Sequence, residues 1–460
     1  MTAPTPPPAG ASTPRAVQRT YLLLMLGNTL AASLIWGINT IFLLDAGLSN
    51  LAAFAANALF TAGMVLFEVP TGIVADTIGR RASYLLGTVT LSVATLLYVL
   101  LWVIEAPFWQ WGVASILLGL GFTFFSGAVE AWLVDALTAT GFTGTLESVF
   151  GRGQIVAGAA MLGGSVAGGF IAQWTNLGVP FVLRSLVLGV MFVVAFRLMH
   201  DLGFTPDKGT RPLAEMRKIA SASIEYGWRA PAVRWLMVEA LFTGGVAIYA
   251  FYALQPYLLE LYGDPQAYQI AGLVAAIVAG AQILGGVSAP WIRGRFRRRT
   301  SALIATTGLG TLTLALIGIA GSFWAVIGLI VVWGLLFAAA MPIRQTYLNG
   351  LIPSRQRATV LSFDSMVTST GGVVVQPVLG RAADVWGYAP SYLIGAGISA
   401  LALPFLVLSR RQHAPADTIE ASDVPTPPSQ PAPVTSAAEE RGRRRVPFQG
   451  MPSGPPDPRC

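Results

Sequence analysis

Five carboxylates, Glu68, Glu130, Asp135, Glu239 and Asp364, stand inside runs that are otherwise almost wholly apolar. An ionisable group in such surroundings needs a partner or a water-filled cavity, which makes each one a candidate for chemistry. For an isolated carboxylate that chemistry is protonic, because desolvation and a changing environment let it take up a proton and release it again. Other chemistries lack their residues. The one cysteine is Cys460, the final residue, and the only histidines are His200 and His413, so neither a disulfide framework nor a thiol or imidazole metal site can be built. No metal, cofactor or enzymatic constellation is expected, and no Gly-rich phosphate loop follows a strand.

On the fourth apolar run, Phe122, Ser126 and Glu130 fall at i, i+4 and i+8, one face of a continuous helix, with Gly119 and Gly127 beside them. Glu130 is therefore the leading proton carrier, and Glu239 on the seventh run is the second. Glu68 lies just before Pro70, where it serves either proton transfer or a local tie to backbone or to Arg80 and Arg81. Asp135 falls on a different face from Glu130 and is expected to pair with Arg152. Trp36, Asn39, Trp132, Tyr249, Tyr252, Gln255 and Gln282, with Phe122 and Ser126, offer aromatic faces and sparse amides to a small apolar or cationic organic substrate. Trp and Tyr also gather at membrane interfaces without any ligand.

The elements that must position these residues follow from composition. Hydrophobic residues make up 54% of the 460 and charged ones 11%, against roughly 25% charged in an ordinary soluble domain. Mean hydropathy is +0.63, so lipid must solvate most of the chain. A helix crosses the hydrocarbon core in about 20 residues, and twelve such windows recur: 20–44, 50–74, 82–104, 108–137, 148–173, 180–200, 231–258, 267–291, 300–320, 322–349, 358–383 and 388–409. Arg80 and Arg81, Lys208, Arg211, Arg217 and Lys218, Arg293 to Arg299, Arg355 and Arg357, and Arg410 and Arg411 all fall on one set of turns, while Asp45, Glu105, Glu260 and Asp264 fall on the other. That asymmetry puts both termini in the cytoplasm of a cell whose plasma (inner) membrane the chain crosses. It also accounts for the net charge of +7 without nucleic acid.

The predicted organisation is a disordered tail (1–17), a six-helix bundle (18–200), a cytoplasmic linker (201–230), a second six-helix bundle (231–410) and a disordered tail (411–460). Within the linker, Leu213, Met216, Ile219, Ala220 and Ile224 recur at helical spacing and predict an interfacial helix. The bundles form a faded repeat: Arg80-Arg81-Ala82-Ser83 opens the third helix and Arg298-Arg299-Thr300-Ser301 the ninth, but Gly294 stands where the first copy has Asp76.

Gly72-Ile73-Val74-Ala75-Asp76-Thr77-Ile78-Gly79-Arg80-Arg81, in the short link after the second helix, resembles the signature loop of the major facilitator superfamily. Gly164-Ser165-Val166-Ala167-Gly168-Gly169 on the fifth helix is similar to the Gly-Pro-x-x-Gly-Gly signature of its drug:proton antiporter branch, with Ser165 replacing the proline. Those glycines suit close helix packing. The resemblance covers residues 18 to 410 and implies an all-α integral membrane protein, two six-helix pseudo-repeat bundles around a central cavity, working as a monomer by alternating access. It further implies a latch, with Asp76 facing the start of the eleventh helix near Arg357 and with Arg80 or Arg81 against Asp364, spaced by Gly72 and Gly79. Such antiporters carry an arginine in the fourth helix, and this chain has none. The expected activity is proton-coupled export of a small organic molecule; uptake by the same fold and a non-transporting receptor or scaffold are the alternatives.

Overall fold

The computed structural model describes residues 13–206, 223–353 and 356–419. Among them every regular element is helical, apart from one isolated antiparallel bridge between Arg298 and Thr418. In hydrocarbon a helix lets each backbone N–H and C=O find its partner within the segment, and the apolar runs fold accordingly. Ten helices are long and apolar enough to cross a membrane, and the bent pair Pro14–Trp36 and Asn39–Asp45 makes an eleventh span. Arg357–Trp386 completes the twelve; with Asp364, Arg381 and Asp384 along it, apolarity alone does not pick it out.

The first half consists of the bent first span, Asn50–Thr77, Arg80–Val103, Phe108–Thr123 continued by Ala128–Ala139, Leu146–Trp174 and Gly178–Leu198. The second half consists of Pro231–Tyr262, Tyr268–Arg293, Arg299–Ile319, Phe323–Leu351, Arg357–Trp386, and Tyr388–Ala400 continued by Ala402–Arg410. Three spans expected to be single helices are interrupted, the twelfth only at Leu401. The first bends by 46° between Trp36 and Asn39, where a Cβ on Gly37 would come within 3.0 Å of the Gly272 Cα on the eighth span. The fourth stops at Thr123 and restarts at Ala128 behind Gly127, whose φ of 68° is left-handed and open to glycine at no steric penalty.

Described structure extends into both stretches expected as tails. Thr13 caps the first span by accepting from the Ala16 N–H at 3.3 Å, Pro14 takes the first helical position, and Val17 is buried. Past the twelfth span, Asp417 is buried and accepts from the Thr300 N–H at 2.8 Å and the Thr300 hydroxyl at 2.9 Å. Arg299 donates to the carbonyls of Ala416 at 2.6 Å and Thr418 at 2.8 Å. The first half has the same device: Asp201, just past the sixth span, accepts from the Arg81 N–H at 2.9 Å. In each half a carboxylate beyond the last span therefore caps the span that follows the short basic link. The rest of the C-terminal tail, 420–460, and residues 207–222, which hold most of the expected interfacial helix, lie outside the described residues.

Twelve crossings bring Pro14 and Arg410 to the same end, the terminal end. At the opposite, distal end the halves are joined. Gln255 accepts from the Thr40 N–H at 3.0 Å and donates to the Trp36 carbonyl at 2.8 Å. Asp384 accepts from the Asn50 and Leu51 N–H groups at 2.8 and 2.9 Å, a carboxylate on the positive end of the second span. The buried cluster around Phe42 and Trp111 takes in Leu259 and Ala271 from the second half, and that around Tyr257 takes in Phe54 from the first. At the terminal end, the clusters around Trp132 and around Tyr347 each stay within one half.

The glycines measure the divergence. Gly169 and Gly272 touch, with a Cβ on either only 2.8 Å from the other's Cα; a Cβ on Gly158, further along, would meet only Ile283, at 3.6 Å; at Gly151 nothing lies within 4 Å. Between the second and eleventh spans the same sequence runs from Gly380, where a Cβ would stand 2.8 Å from the Asn50 carbonyl, through Gly372, where it would stand 3.8 Å from Thr61 Cγ2, to Gly72, where it would meet nothing within 4 Å. The halves form a wedge, closed distally and open toward the terminal end.

Asp417→Ala is expected to lower stability by about 1–3 kcal/mol through loss of the cap on the ninth span, seen as faster hydrogen exchange at residues 299–306; unchanged exchange there would mean that the terminal turn packs without stabilising. Asp384→Ala should speed exchange at residues 50–57 by about tenfold, the loss of two charge-assisted bonds, and leave residues 132–137 as they were. Equal exchange at both places would show that the distal closure does not depend on that carboxylate.

Candidate functional site

A cavity of about 360 Å³ lies in the wedge, almost wholly against the first half. The break in the first span builds its floor: Trp36 and Asn39 flank the bend, Asn39 Nδ2 donates to Asn57 Oδ1 at 3.1 Å, and the Trp36 ring packs against Phe251 at 4.7 Å between centroids. Phe60, Tyr98, Phe122, Arg184 and Tyr252 complete a wall that is mostly aromatic. Of the residues expected to meet substrate, Trp36, Asn39, Phe122 and Tyr252 are in this wall.

The others have different work. Trp132 is 2% exposed and donates from Nε1 to the His200 carbonyl at 2.7 Å, inside the core of the first half. Tyr249 is buried with its hydroxyl 2.5 Å from Ser391 Oγ. Gln255 ties the halves together, and Gln282 is half-buried on the eighth span, away from the cavity wall. Ser126 donates to Glu68 Oε1 at 2.8 Å, so Glu68 is tied to the fourth span and not to Arg80 or Arg81. Residue type marks these side chains as able to bind; only packing shows which way they face.

The second half holds the densest group of buried charges. On the tenth span, Arg344 donates to Asp364 Oδ2 at 2.7 Å and Oδ1 at 2.8 Å, to Glu239 Oε2 at 3.3 Å and to the Leu236 carbonyl at 3.1 Å. Glu239 also accepts from the Thr243 hydroxyl at 2.8 Å. Glu239 and Asp364 are 4% and 6% exposed, and the group borders a cavity of about 80 Å³ toward Thr306, Trp333 and Phe337. Two carboxylates and one guanidinium sum to one negative charge, which one added proton would neutralise. Sequence reading weighed the carboxylates and passed over Arg344, although it is the one cation inside the tenth apolar run and so required a partner.

The expected latch has other partners. Asp364 is taken by Arg344. Asp76 pairs with Arg80 at 2.5 Å, one turn along. The Arg81 guanidinium donates to the Phe196 carbonyl and lies over the Phe196 ring at 4.8 Å. Gly79, at φ 128°, has no room for a Cβ, which would stand 2.5 Å from Asp201 Oδ2. Because the halves diverge at this end, the loop turns inward on its own half, while Arg357 opens the eleventh span in the other. Asp135 lines a pocket with Asp76 and Arg80, and among the described residues no ion pair joins it to Arg152. Glu130 is exposed in the first turn of Ala128–Ala139. Phe122 and Ser126 are exposed as well, so the burial expected of Glu130 is absent. On the fifth span, a Cβ at Gly164 would overlap Ser33 and one at Gly168 the Leu34 carbonyl, so both admit the first span at backbone distance.

The descriptive model of the Major Facilitator Superfamily matches residues 20–374 and 268–448. No curated protein sequence matches the chain. Among solved structures, the nucleoside transporter NupG superposes with a TM-score of 0.71 at 11% identity, over 85% of this chain and 98% of that one. A bacterial homologue of the human lysosomal transporter Spinster, in an inward-facing and unoccupied conformation, gives 0.65 at 15% identity over 89% and 99%. The POT family transporter PepTSo gives 0.65 at 14% identity over 87% and 99%. At such identities the likeness is one of fold, and it agrees with the two joined halves, the wedge and the cavity between them. The chain is a multi-pass membrane transporter that belongs to the Major Facilitator Superfamily.

Proposed function

We propose that the chain exports a small organic molecule across the plasma membrane in exchange for protons, with the wedge open to the cytoplasm. The basic residues of the short links at the terminal end support that orientation. The observation that carries proton coupling is the Glu239–Arg344–Asp364 group: a buried cluster with one negative charge in excess favours binding of one proton. Glu239 is the carboxylate to receive it. Asp364 holds two short bonds to the guanidinium, whereas Glu239 holds one longer contact and a hydroxyl donor that a protonated acid can keep. Glu239 thus takes the role that sequence reading gave first to Glu130, which is exposed and lacks a buried counter-charge.

The cluster also supplies a switch. Protonation of Glu239 weakens its hold on Arg344 and so loosens the tie between the seventh and tenth spans, while the pair with Asp364 keeps the tenth and eleventh together. The eleventh span packs on the second across the wedge, so the change reaches the interface along which the halves move.

In proteoliposomes with a pH dye inside, substrate-dependent proton movement should fall at least about tenfold in Glu239→Gln, the loss of one essential proton site, while Glu130→Gln retains most of it. Uptake in the same direction as the protons would replace export with symport. Full proton movement in Glu239→Gln would remove the cluster from coupling.

A further inference from the structure

We propose that the cavity in the first half binds an organic anion, with Arg184 receiving its anionic group; this rests on reading that cavity as the transport site. Arg184 lies on the sixth span, is 9% exposed and forms part of the cavity wall. A buried guanidinium is ordinarily compensated by a carboxylate, by carbonyls or by an aromatic face. Three other arginines inside or at the ends of spans illustrate these: Arg344 has two carboxylates, Arg299 two carbonyls, Arg81 a carbonyl and a ring. Among the described residues Arg184 has none of these, and its Nε is buried without an acceptor.

The surroundings ask for the same ligand. No acidic side chain lines the cavity, so it carries one uncompensated positive charge. Asn57, whose Oδ1 is occupied by Asn39, leaves Nδ2 buried and also without an acceptor. Two donors without acceptors, on residues that line one cavity with no negative charge in its wall, fit a carboxylate or a similar planar anion, which a guanidinium can hold through two parallel bonds. The remaining wall, Trp36, Phe60, Phe122 and Tyr252 among it, fits an aromatic or aliphatic body attached to that group. The cationic substrate suggested by the aromatic residues alone would meet Arg184 at close quarters and be repelled.

The test is equilibrium dialysis of the purified full-length protein in detergent against three probes with one body: 2-naphthoate, 2-naphthamide and 2-naphthylmethylammonium. The naphthoate should bind about tenfold more tightly than the amide, the gain from one charged hydrogen-bonded pair, and the ammonium most weakly. Arg184→Gln should erase the difference between naphthoate and amide without weakening the amide, and Arg184→Lys should restore part of it. If Arg184→Gln does not fold, the order of the three probes on the unaltered protein still decides. Equal binding of the three, preference for the ammonium, no binding by any, or an undiminished naphthoate preference in Arg184→Gln would overturn the proposal. Dialysis needs neither turnover nor a proton gradient, so its result is independent of whether Glu239 couples transport.

Discussion

A charge carried into an apolar layer has to meet its opposite, and in the second half one guanidinium discharges that requirement for three spans at once. Arg344 reaches Asp364 on the eleventh span, Glu239 on the seventh and the Leu236 carbonyl, so the helices that carry these groups cannot shift independently. Breaking a buried pair of this kind by removing one member typically costs about 3–5 kcal/mol. The first half has no such centre. There the spans are locked by close backbone approach at Gly164 and Gly168 and by aromatic packing around Phe42, and the single buried guanidinium is left facing a cavity. The halves therefore divide their labour: one keeps its charges among themselves, the other presents a charge to whatever enters.

Closure between the halves rests on contacts that can be made and unmade. Helices in lipid gain little from hiding apolar surface against one another, so small residues and hydrogen bonds govern where they meet. Gly169 against Gly272, and Asp384 on the first residues of the second span, are contacts of that kind. Both lie at the distal end, beside Phe54, which is buried against Tyr249 of the other half.

Most spans were legible in the sequence because a lipid-crossing helix is apolar along nearly all its length; the eleventh, with its three charges, is the exception. The breaks within spans were not legible, since Gly37 and Gly127 interrupt the backbone without changing hydropathy. The argument for Glu130 depended on desolvation, and the side chain is exposed. The family and fold were legible from the loop around Asp76; its partners were not, because the pairing expected across the wedge belongs to a closed terminal end, whereas here the loop binds Asp201 and Phe196 of its own half. Trp36, Asn39, Phe122 and Tyr252 were found by type, while Trp132 and Tyr249, of the same types, point into cores. Arg344 was passed over and the need of Arg184 for a counter-charge was not weighed, because the search for chemistry inside the spans took up carboxylates alone.

Asp201 and Asp417 carry a mechanical consequence. Each holds the chain just after a sixth helix to the first turn of another helix in the same half. Tension arriving along the chain beyond Thr205 is thus borne at two anchorages before it reaches the sixth span, and the load spreads into the third. A half tied in this way holds its last helix to its third at the end where the chain leaves. The second half is clamped in the same manner, by Asp417 on Thr300.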